Sequence, residues 1–535
     1  MVVSVGLRSM GWTNAWFSPT KLLALLTLTA IVLAAGHPLL STGLRAVDDH
    51  EYLTFRQLNP SGSFWSALLD ALHRIKGDFY GSRWRPLYHL GRSFTTALIS
   101  DAALPRYVLR LVLTVFAIWG LATRIVDIVA PALRTSTFRY LATVTTGVIL
   151  FTVPDWKDVS ARLGPQELFA LAGLTLCLLG LRTVPRRRHN AALLVGVILM
   201  SGFKENFAVL ASTVLIMFLS IGQNRRQRTF VLLGLAISVS STVVSYSAVR
   251  ARGSTDIYGN DRSIRTTVEG LLSVFESSRF EWTAVLFLLL FLVVPPKEFR
   301  TLVKLGLALF AILAIEWLFY GETMNAFGRY ALVSDLVVSS LLSGALIMAL
   351  AWAVDRSSED GFLPLAIATG ILLLATPTAI SAASKFHDGA HRAALEAESW
   401  SGALDEVLTA INRTRAAQLL VLVDLQHDPG RYEKSHSLVT FLGFYSEGTP
   451  DIYLAVQGVP PGAPESPYTS NLRPGLEKRS AAGDLTPSIW RKPTTGLKPL
   501  ADLAHDEPLL CVHYSTSGRH HTYTSACTET VRFTQ

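Results

Sequence analysis

The chain has 535 residues, of which 50% are hydrophobic and only 16% are charged, and its mean hydropathy is +0.36. Soluble globular proteins carry roughly 25% charged residues, so this composition excludes a mainly soluble protein. The formal net charge of +8 falls largely in short arginine clusters between apolar runs. That arrangement indicates membrane orientation and argues against nucleic-acid binding.

Apolar runs along the chain predict an α-helical polytopic membrane protein with about eleven spans. We place them near 21–40, 107–123, 139–153, 165–181, 189–203, 206–221, 229–249, 282–296, 303–320, 330–354 and 362–383. The first run lacks a small-residue cleavage site and is interpreted as a retained span and not as a signal peptide. Between the runs at 189–203 and 206–221 only a few residues remain, which predicts a tight helical hairpin.

Basic clusters set the expected orientation. If 87–99 does not span, one side of the membrane holds the basic clusters at Arg8 and Lys21, Arg124–Arg139, Arg182–Arg188, Arg225–Arg228 and Lys297–Lys304, and the positive-inside rule makes that side cytoplasmic. The exception is the loop at 250–281, which carries five arginines and would be exoplasmic. With the N-terminus cytoplasmic and an odd number of spans, the C-terminal tail is expected outside.

The first exoplasmic loop, about 41–106, is too long for a simple connector. It opens with the acidic run Asp48-Asp49-His50-Glu51 and later contains Arg83-Trp84-Arg85-Pro86-Leu87. Apolar residues at helical spacing in 64–75, and again in 87–99, predict two helices that lie in the membrane interface.

The tail from 384 to 535 differs from the membrane part, 1–383, and predicts a small exoplasmic α/β domain. Residues 391–414 have the pattern of an amphipathic helix, 418–425 that of a buried strand, and 460–499 are rich in Pro, Gly and Ser. Cys511 and Cys527 could form a disulfide if the tail is exported, whereas Cys177 lies in an apolar run and is expected to be buried.

The residues that carry chemistry are dispersed, since the chain has no P-loop, no Rossmann glycine pattern and no HExxH. A carboxylate at a membrane face can act as a general base or hold a cation, and arginine offers forked donors to phosphate oxygens. Asp48, Asp49 and Asp155 could together hold Mg²⁺ or Mn²⁺, although the chemistry does not require a metal.

Four elements in this order resemble the GT-C superfamily of glycosyltransferases that use polyprenyl-phosphate sugars. They are Asp48-Asp49 after the first span, Arg85-Pro86-Leu87 closing the first loop, Lys204-Glu205 after a mid-chain span, and Arg329-Tyr330 entering a late span. The nearest likenesses are the protein O-mannosyltransferases and the lipid A aminoarabinose transferases. The likeness covers roughly residues 20–383.

The resemblance implies an enzyme of the bacterial inner or plasma membrane that moves a sugar from a polyprenyl-phosphate donor to a glycan, lipid or protein acceptor by inverting displacement. It places the catalytic base at Asp48 or Asp49, with Asp48 favoured because Tyr52 follows it at the spacing seen in the aminoarabinose transferases. Asp155 matches a second acidic position. The substrate-binding residues are expected to be Asp155 together with Arg83, Arg85, Tyr88, Lys204, Glu205, Arg329 and Tyr330.

Two other classes fit the sequence. A transporter or lipid flippase usually carries ionisable residues at mid-membrane and helices broken in matched halves. Here Glu316 is the main acidic residue inside a predicted span, and it lies in the outer third. A non-catalytic scaffold for envelope assembly, with the exported tail as its binding module, is the third interpretation.

Overall fold

The computed structural model describes residues 18–44, 52–53, 63–80, 83–99, 102–130, 136–181, 187–219, 225–251, 328–356, 362–424, 431–446, 450–457, 508–514 and 529–532, with scattered positions between 284 and 314. The described helices before the sheet are α1 Pro19–Gly36, α2 Phe64–Tyr80, α3 Pro86–Ile99, α4 Ala103–Val129, α5 Ser136–Phe151, α6 Trp156–Ser160, α7 Glu167–Gly180, α8 Arg187–Phe203, α9 Glu205–Leu219, α10 Arg225–Ala251, α11 Gly328–Arg356 and α12 Phe362–Thr414.

Within the described residues, four helical segments are long and apolar enough to cross a membrane: Pro19–Ser41, Ala103–Val129, Gln227–Ala248 and Ala331–Trp352. Thr137–Phe151, Glu167–Gly180 and Glu205–Leu219 are shorter apolar helices. Each of these segments coincides with a predicted span. Of the predicted spans at 282–296 and 303–320 the structure describes only part, so the count of eleven stays a prediction.

The first loop contains the two expected helices. α2 continues to Tyr80, five residues beyond the predicted end, and α3 begins at Pro86, whose fixed φ suits the first turn of a helix. Large apolar side chains on α2 are exposed, among them Phe64 at 61% and Trp65 at 69%. Such a face is consistent with the predicted interfacial placement.

Glycines allow α7 and α8 to approach closely. A Cβ placed on Gly180 would lie 2.6 Å from the His189 carbonyl oxygen, and one placed on Gly173 would lie 2.8 Å from the Gly196 oxygen. A Cβ on Gly196 would in turn clash with the Cys177 backbone. Lipid offers no hydrophobic drive for helices to associate, so their association depends on close packing. Small residues at the helix interface permit that packing.

An ion-pair group around the buried side chain of Asp127 joins α1, α4 and α5 at the end that the basic clusters predict to be cytoplasmic. Lys21 Nζ lies 3.0 Å from Asp127 Oδ2, and Arg139 pairs with the other oxygen of the same carboxylate. The Trp119 indole donates a hydrogen bond of 2.9 Å to the Lys21 carbonyl. Each charge is therefore paired, as low dielectric surroundings require.

The C-terminal part contains a parallel sheet in the order β2-β1-β3-β4, formed by β1 Gln418–Asp424, β2 Asp451–Gln457, β3 Leu509–Tyr514 and β4 Glu529–Arg532. Between β1 and β2 lies α13, Arg431–Tyr445, which makes the βαβ crossover that parallel strands need. β1, at the centre, carries the fully buried run Leu419–Val421. The domain boundary predicted at 384 falls within α12, which continues to Thr414 before β1 begins.

Cys511 on β3 is disulfide-bonded, and Cys177 is free and buried. The prediction that Cys177 is buried is therefore confirmed, whereas the pairing of Cys511 with Cys527 stays a prediction. Cys527, the expected partner of Cys511, lies outside the described residues, as does the Pro, Gly and Ser-rich segment 460–499.

Candidate active site

The turn between α8 and α9 is a single residue, Lys204, so the predicted tight hairpin is confirmed. Lys204 is buried, and its Nζ lies 3.0 Å from Oε1 of Glu167 at the start of α7. The stacked rings of Phe169 and Phe203, with centroids 4.9 Å apart, hold the same two helix ends together. The site thus begins where three apolar helix ends meet.

Arg85, just before α3, is anchored to the end of α2. Its Nε and Nη2 donate to the two carboxylate oxygens of Asp78 at 2.9 and 2.8 Å. The guanidinium carbon also lies 5.0 Å from the centroid of the Tyr88 ring, within cation–π range. Two parallel bonds to one carboxylate fix the plane of the guanidinium as well as its position.

Gln166 links Arg85 to the hairpin turn. With its amide oriented by these neighbours, its oxygen accepts from Arg85 Nη1 at 2.6 Å and its nitrogen donates to the Phe203 carbonyl at 2.7 Å. Gln166 immediately precedes Glu167, the partner of Lys204. One short segment therefore positions both cations.

Glu205 faces the arginines of the first loop. Its Oε1 lies 3.9 Å from Nε of Arg83 and 3.9 Å from Nε of Arg85. The Glu205 side chain is only 1% exposed, and within the described residues neither of its oxygens makes a hydrogen bond. Glu205 is therefore attracted to both arginines by its charge and not by directional hydrogen bonds.

Arg85 remains a cation at any working pH. Burial, the largest effect, lowers its pKa, but the charge and hydrogen bonds of Asp78, with Glu205 and Tyr88, outweigh burial and raise the pKa above its ordinary value. The positive charge is therefore a permanent feature of the site.

Asp155 lies in the connection between α5 and α7 and is buried. It stands at the N-cap of α6, where its backbone carbonyl accepts from the amides of Asp158 and Val159 at 3.0 and 3.2 Å. Its side chain makes no capping bond to α6. The carboxylate is thus not used to start that helix.

Arg110, inside α4, fixes the connection that carries Asp155 and Gln166. Its guanidinium donates to the carbonyls of Val159, Leu163 and Pro165, with distances of 2.9 Å to Leu163 and 2.7 Å to Pro165. The side chain is buried, so these bonds replace water that the charge would otherwise need. Arg110 therefore sets the loop that positions the site.

Of the predicted site residues, the structure brings Arg83, Arg85, Tyr88 and Glu205 together, with Lys204 adjacent along the chain. Arg329 and Tyr330 lie in the first turn of α11, at the predicted entrance to that helix. Asp48 and Asp49 lie outside the described residues. Tyr52, just after the acidic run, contacts the guanidiniums of Arg92 and Arg106, whose carbons are 4.7 and 3.9 Å from its ring centroid.

Asp78, Gln166, Glu167 and Arg110 were not predicted. Glu167 had a usable signal, because it falls inside the predicted span 165–181, where a carboxylate requires a partner. Asp78 and Gln166 had none, since each resembles an ordinary polar residue at a helix end. Among the described residues no three His, Cys, Asp or Glu side chains are grouped to hold a metal.

Comparison with known proteins finds a likeness in structure and none in sequence. No protein-family model and no curated protein matches the chain. The chain is similar to the crystal structure of ArnT from Cupriavidus metallidurans bound to undecaprenyl phosphate, with 14% identity, a TM-score of 0.47, and coverage of 88% of this chain and 95% of that one. It is also similar to the apo ArnT structure, with 14% identity, a TM-score of 0.43, and coverage of 84% and 88%.

ArnT is a GT-C aminoarabinose transferase, the group that the sequence motifs predicted as a likeness. Both matches extend over most of this chain. The roles of individual residues follow from their own contacts and chemistry.

Proposed function

We propose that the protein is an integral membrane glycosyltransferase that moves a sugar from a polyprenyl-phosphate donor to an exoplasmic acceptor. The observation that carries the proposal is the group of cations, Arg83, Arg85 and Lys204, at the ends of apolar helices. Lys204 and Arg85 are buried, and each is held in place by a carboxylate. Cations fixed in advance at a membrane face suit a lipid whose phosphate must lie beside an apolar chain.

Transfer would proceed by direct displacement at the anomeric carbon. The acceptor hydroxyl oxygen forms the new bond to that carbon as the bond to the phosphate oxygen breaks. The carboxylate of Asp48, or of its neighbour Asp49, takes the hydroxyl proton. The electron pair of the broken bond leaves with the polyprenyl phosphate, whose added negative charge Arg85 and Lys204 stabilise.

Arg83 and the Arg329-Tyr330 pair complete the proposed donor site. The Arg83 side chain is 29% exposed, more than that of Arg85 at 9%, so it is the member of the pair best able to reach an incoming phosphate. Asp155 is assigned to the acceptor side as a second carboxylate. A glycan, a lipid or a protein hydroxyl would each satisfy this chemistry.

A divalent metal is a separate proposal. Asp48, Asp49 and Asp155 offer the oxygen ligands that Mg²⁺ and Mn²⁺ prefer. Asp155 would contribute a buried carboxylate to this set. When bound, such a metal would polarise an oxygen of donor or acceptor, and treatment with a chelator followed by addition of Mg²⁺ tests this requirement.

The site is proposed to face the exoplasmic side, with the N-terminus in the cytoplasm and the sheet-containing tail outside. The disulfide at Cys511 supports this orientation, because such bonds persist in oxidising compartments. The Lys21, Asp127 and Arg139 group then lies at the opposite, cytoplasmic end of the helices, which agrees with the positive-inside rule.

The test is transfer by the purified full chain in liposomes. Short-chain polyprenyl-phosphate sugars with labelled mannose, glucose or aminoarabinose would be supplied with lipid acceptors or membrane extracts, and the released polyprenyl phosphate measured. We expect release that requires both acceptor and Asp48, with Asp48→Asn as the matched control. Movement of labelled lipid between leaflets without release would instead identify a flippase.

A further inference from the structure

The site contains as many carboxylates as cations, but the carboxylates differ in how closely they contact their cationic partners. Asp78 makes two hydrogen bonds to Arg85, at 2.8 and 2.9 Å, and Glu167 lies 3.0 Å from Lys204. Glu205 lies 3.9 Å from each of its two arginines. Three carboxylates therefore offset three cations, and one of the three is held only loosely.

Glu205 bears a free-energy cost that the other two carboxylates avoid. A buried carboxylate without hydrogen bonds loses its hydration and is compensated only by the attraction of nearby cations. At 1% exposure, and without a hydrogen bond to any described residue, Glu205 is in that position. A group held by charge alone can be exchanged for another anion with little loss of bonding.

We propose that Glu205 is an internal counter-anion that occupies Arg83 and Arg85 when no donor is bound and that the lipid phosphate replaces it. This inference rests on the function proposed above. Arg83 is the mobile partner in the exchange because it is the more exposed, whereas Asp78 and Gln166 keep Arg85 in place.

The exchange distinguishes donor from product. A sugar-linked phosphodiester carries one negative charge, whereas the released polyprenyl phosphate carries about −1.5 to −2 near neutral pH. Repulsion by Glu205 therefore weakens binding of the product more than binding of the donor. The residue lowers affinity for the lipid phosphate and thereby speeds its release, a step that limits many enzymes.

The test compares two substitutions that remove the same charge beside the same guanidinium. Farnesyl phosphate is titrated into the purified full chain in detergent, with tryptophan fluorescence as the readout. We expect Glu205→Gln to bind it about tenfold more tightly than wild type, because a nearby negative charge is gone. Asp78→Asn is expected to bind it more weakly, because Arg85 loses its orientation.

Melting temperatures, with and without farnesyl phosphate, guard against a folding defect. Without ligand, the melting temperature of Glu205→Gln should be lower than that of wild type, but farnesyl phosphate should raise it by more. Glu205→Asp should give values between those of wild type and Glu205→Gln. Unchanged or weaker binding by Glu205→Gln would overturn the exchange, as would equal tightening by both variants. If instead Arg85→Gln binds farnesyl phosphate as wild type does, the proposed donor site itself is wrong.

Discussion

Arg85 and Asp78 form a bidentate pair, with Nε and Nη2 of the guanidinium 2.9 and 2.8 Å from the two carboxylate oxygens. This geometry belongs to arginine alone, because a lysine ammonium is a point charge that cannot make two parallel bonds. Arg85→Lys therefore keeps the charge but loses the fixed plane and the contact with Gln166. We expect kcat/KM for the donor to fall about 10- to 100-fold, mainly through KM.

The matched control for that substitution is Arg74→Lys on α2. Arg74 also pairs with a carboxylate, that of Asp70 at 2.8 Å, but lies four residues away from it along the same helix. Such pairs contribute about 0.5 kcal/mol, so transfer should stay within about twofold of wild type. Equal loss in both variants would indicate that arginine pairs in this loop act on folding and not on the donor.

Asp48→Asn preserves size while removing the charge needed to accept a proton. We expect sugar transfer to fall at least about 100-fold, the contribution typical of general-base catalysis, with normal amounts of protein in the membrane. Asp49→Asn should cause a similar or somewhat smaller loss. Wild-type transfer by both variants would remove the main support for an enzyme and favour a transporter or scaffold.

The helices were largely predictable from the sequence, and the reason is visible at α8 and α9. Both are apolar runs bounded by charges, so the predicted bounds of 189–203 and 206–221 differ from Arg187–Phe203 and Glu205–Leu219 by at most two residues. α2 was predicted too short because its last turn, with Asp78, is polar and lacks the apolar periodicity that marked its start.

The partners within the site could not be predicted in the same way. Lys204 was recognised by its position after a span, but its contact with Glu167 joins residues far apart in the chain. Local patterns carry no information on which distant carboxylate meets a given cation, and that choice is made by helix packing. The same holds for Gln166, whose two hydrogen bonds reach the first loop and the α8–α9 turn.

Arg110→Met should destabilise the protein without removing any proposed contact with the donor. The substitution leaves the carbonyls of Val159, Leu163 and Pro165 without their charged donor in a buried setting. We expect a loss of roughly 2–5 kcal/mol, seen as a lower melting temperature in detergent. An unchanged melting temperature would show that the connection is held by other contacts.

Two glycines in different surroundings, one in the α7–α8 contact and one in open space on α2, are expected to give opposite results when substituted. Gly180→Val on α7 should greatly reduce the folded protein recovered from membranes, because its Cβ would meet the His189 and Leu193 backbone at 2.6 Å. Gly77→Ala on α2 has open space around the new Cβ and should raise stability by up to about 1 kcal/mol. Thermal melting of both purified variants checks the pair.

The oxidised state of Cys511 predicts the side of the membrane on which the tail lies. A phosphatase reporter fused after Gln535 should be active only if the tail is exported, and thiol labelling of intact cells should find Cys511 blocked until a reductant is added. Activity confined to a cytoplasmic reporter would reverse the orientation and move the candidate site to the other face.

The lengths of the helices that end at the site have a consequence for the lipid itself. α5, α7, α8 and α9 contain 16, 14, 17 and 15 residues. At about 1.5 Å per residue they extend roughly 21–26 Å, several ångströms less than the hydrocarbon core of about 30 Å. If their basic ends sit at the cytoplasmic surface, Lys204 and Glu205 lie below the level of the outer headgroups. A polyprenyl phosphate would then descend to its cations, and the surrounding leaflet would thin to meet it.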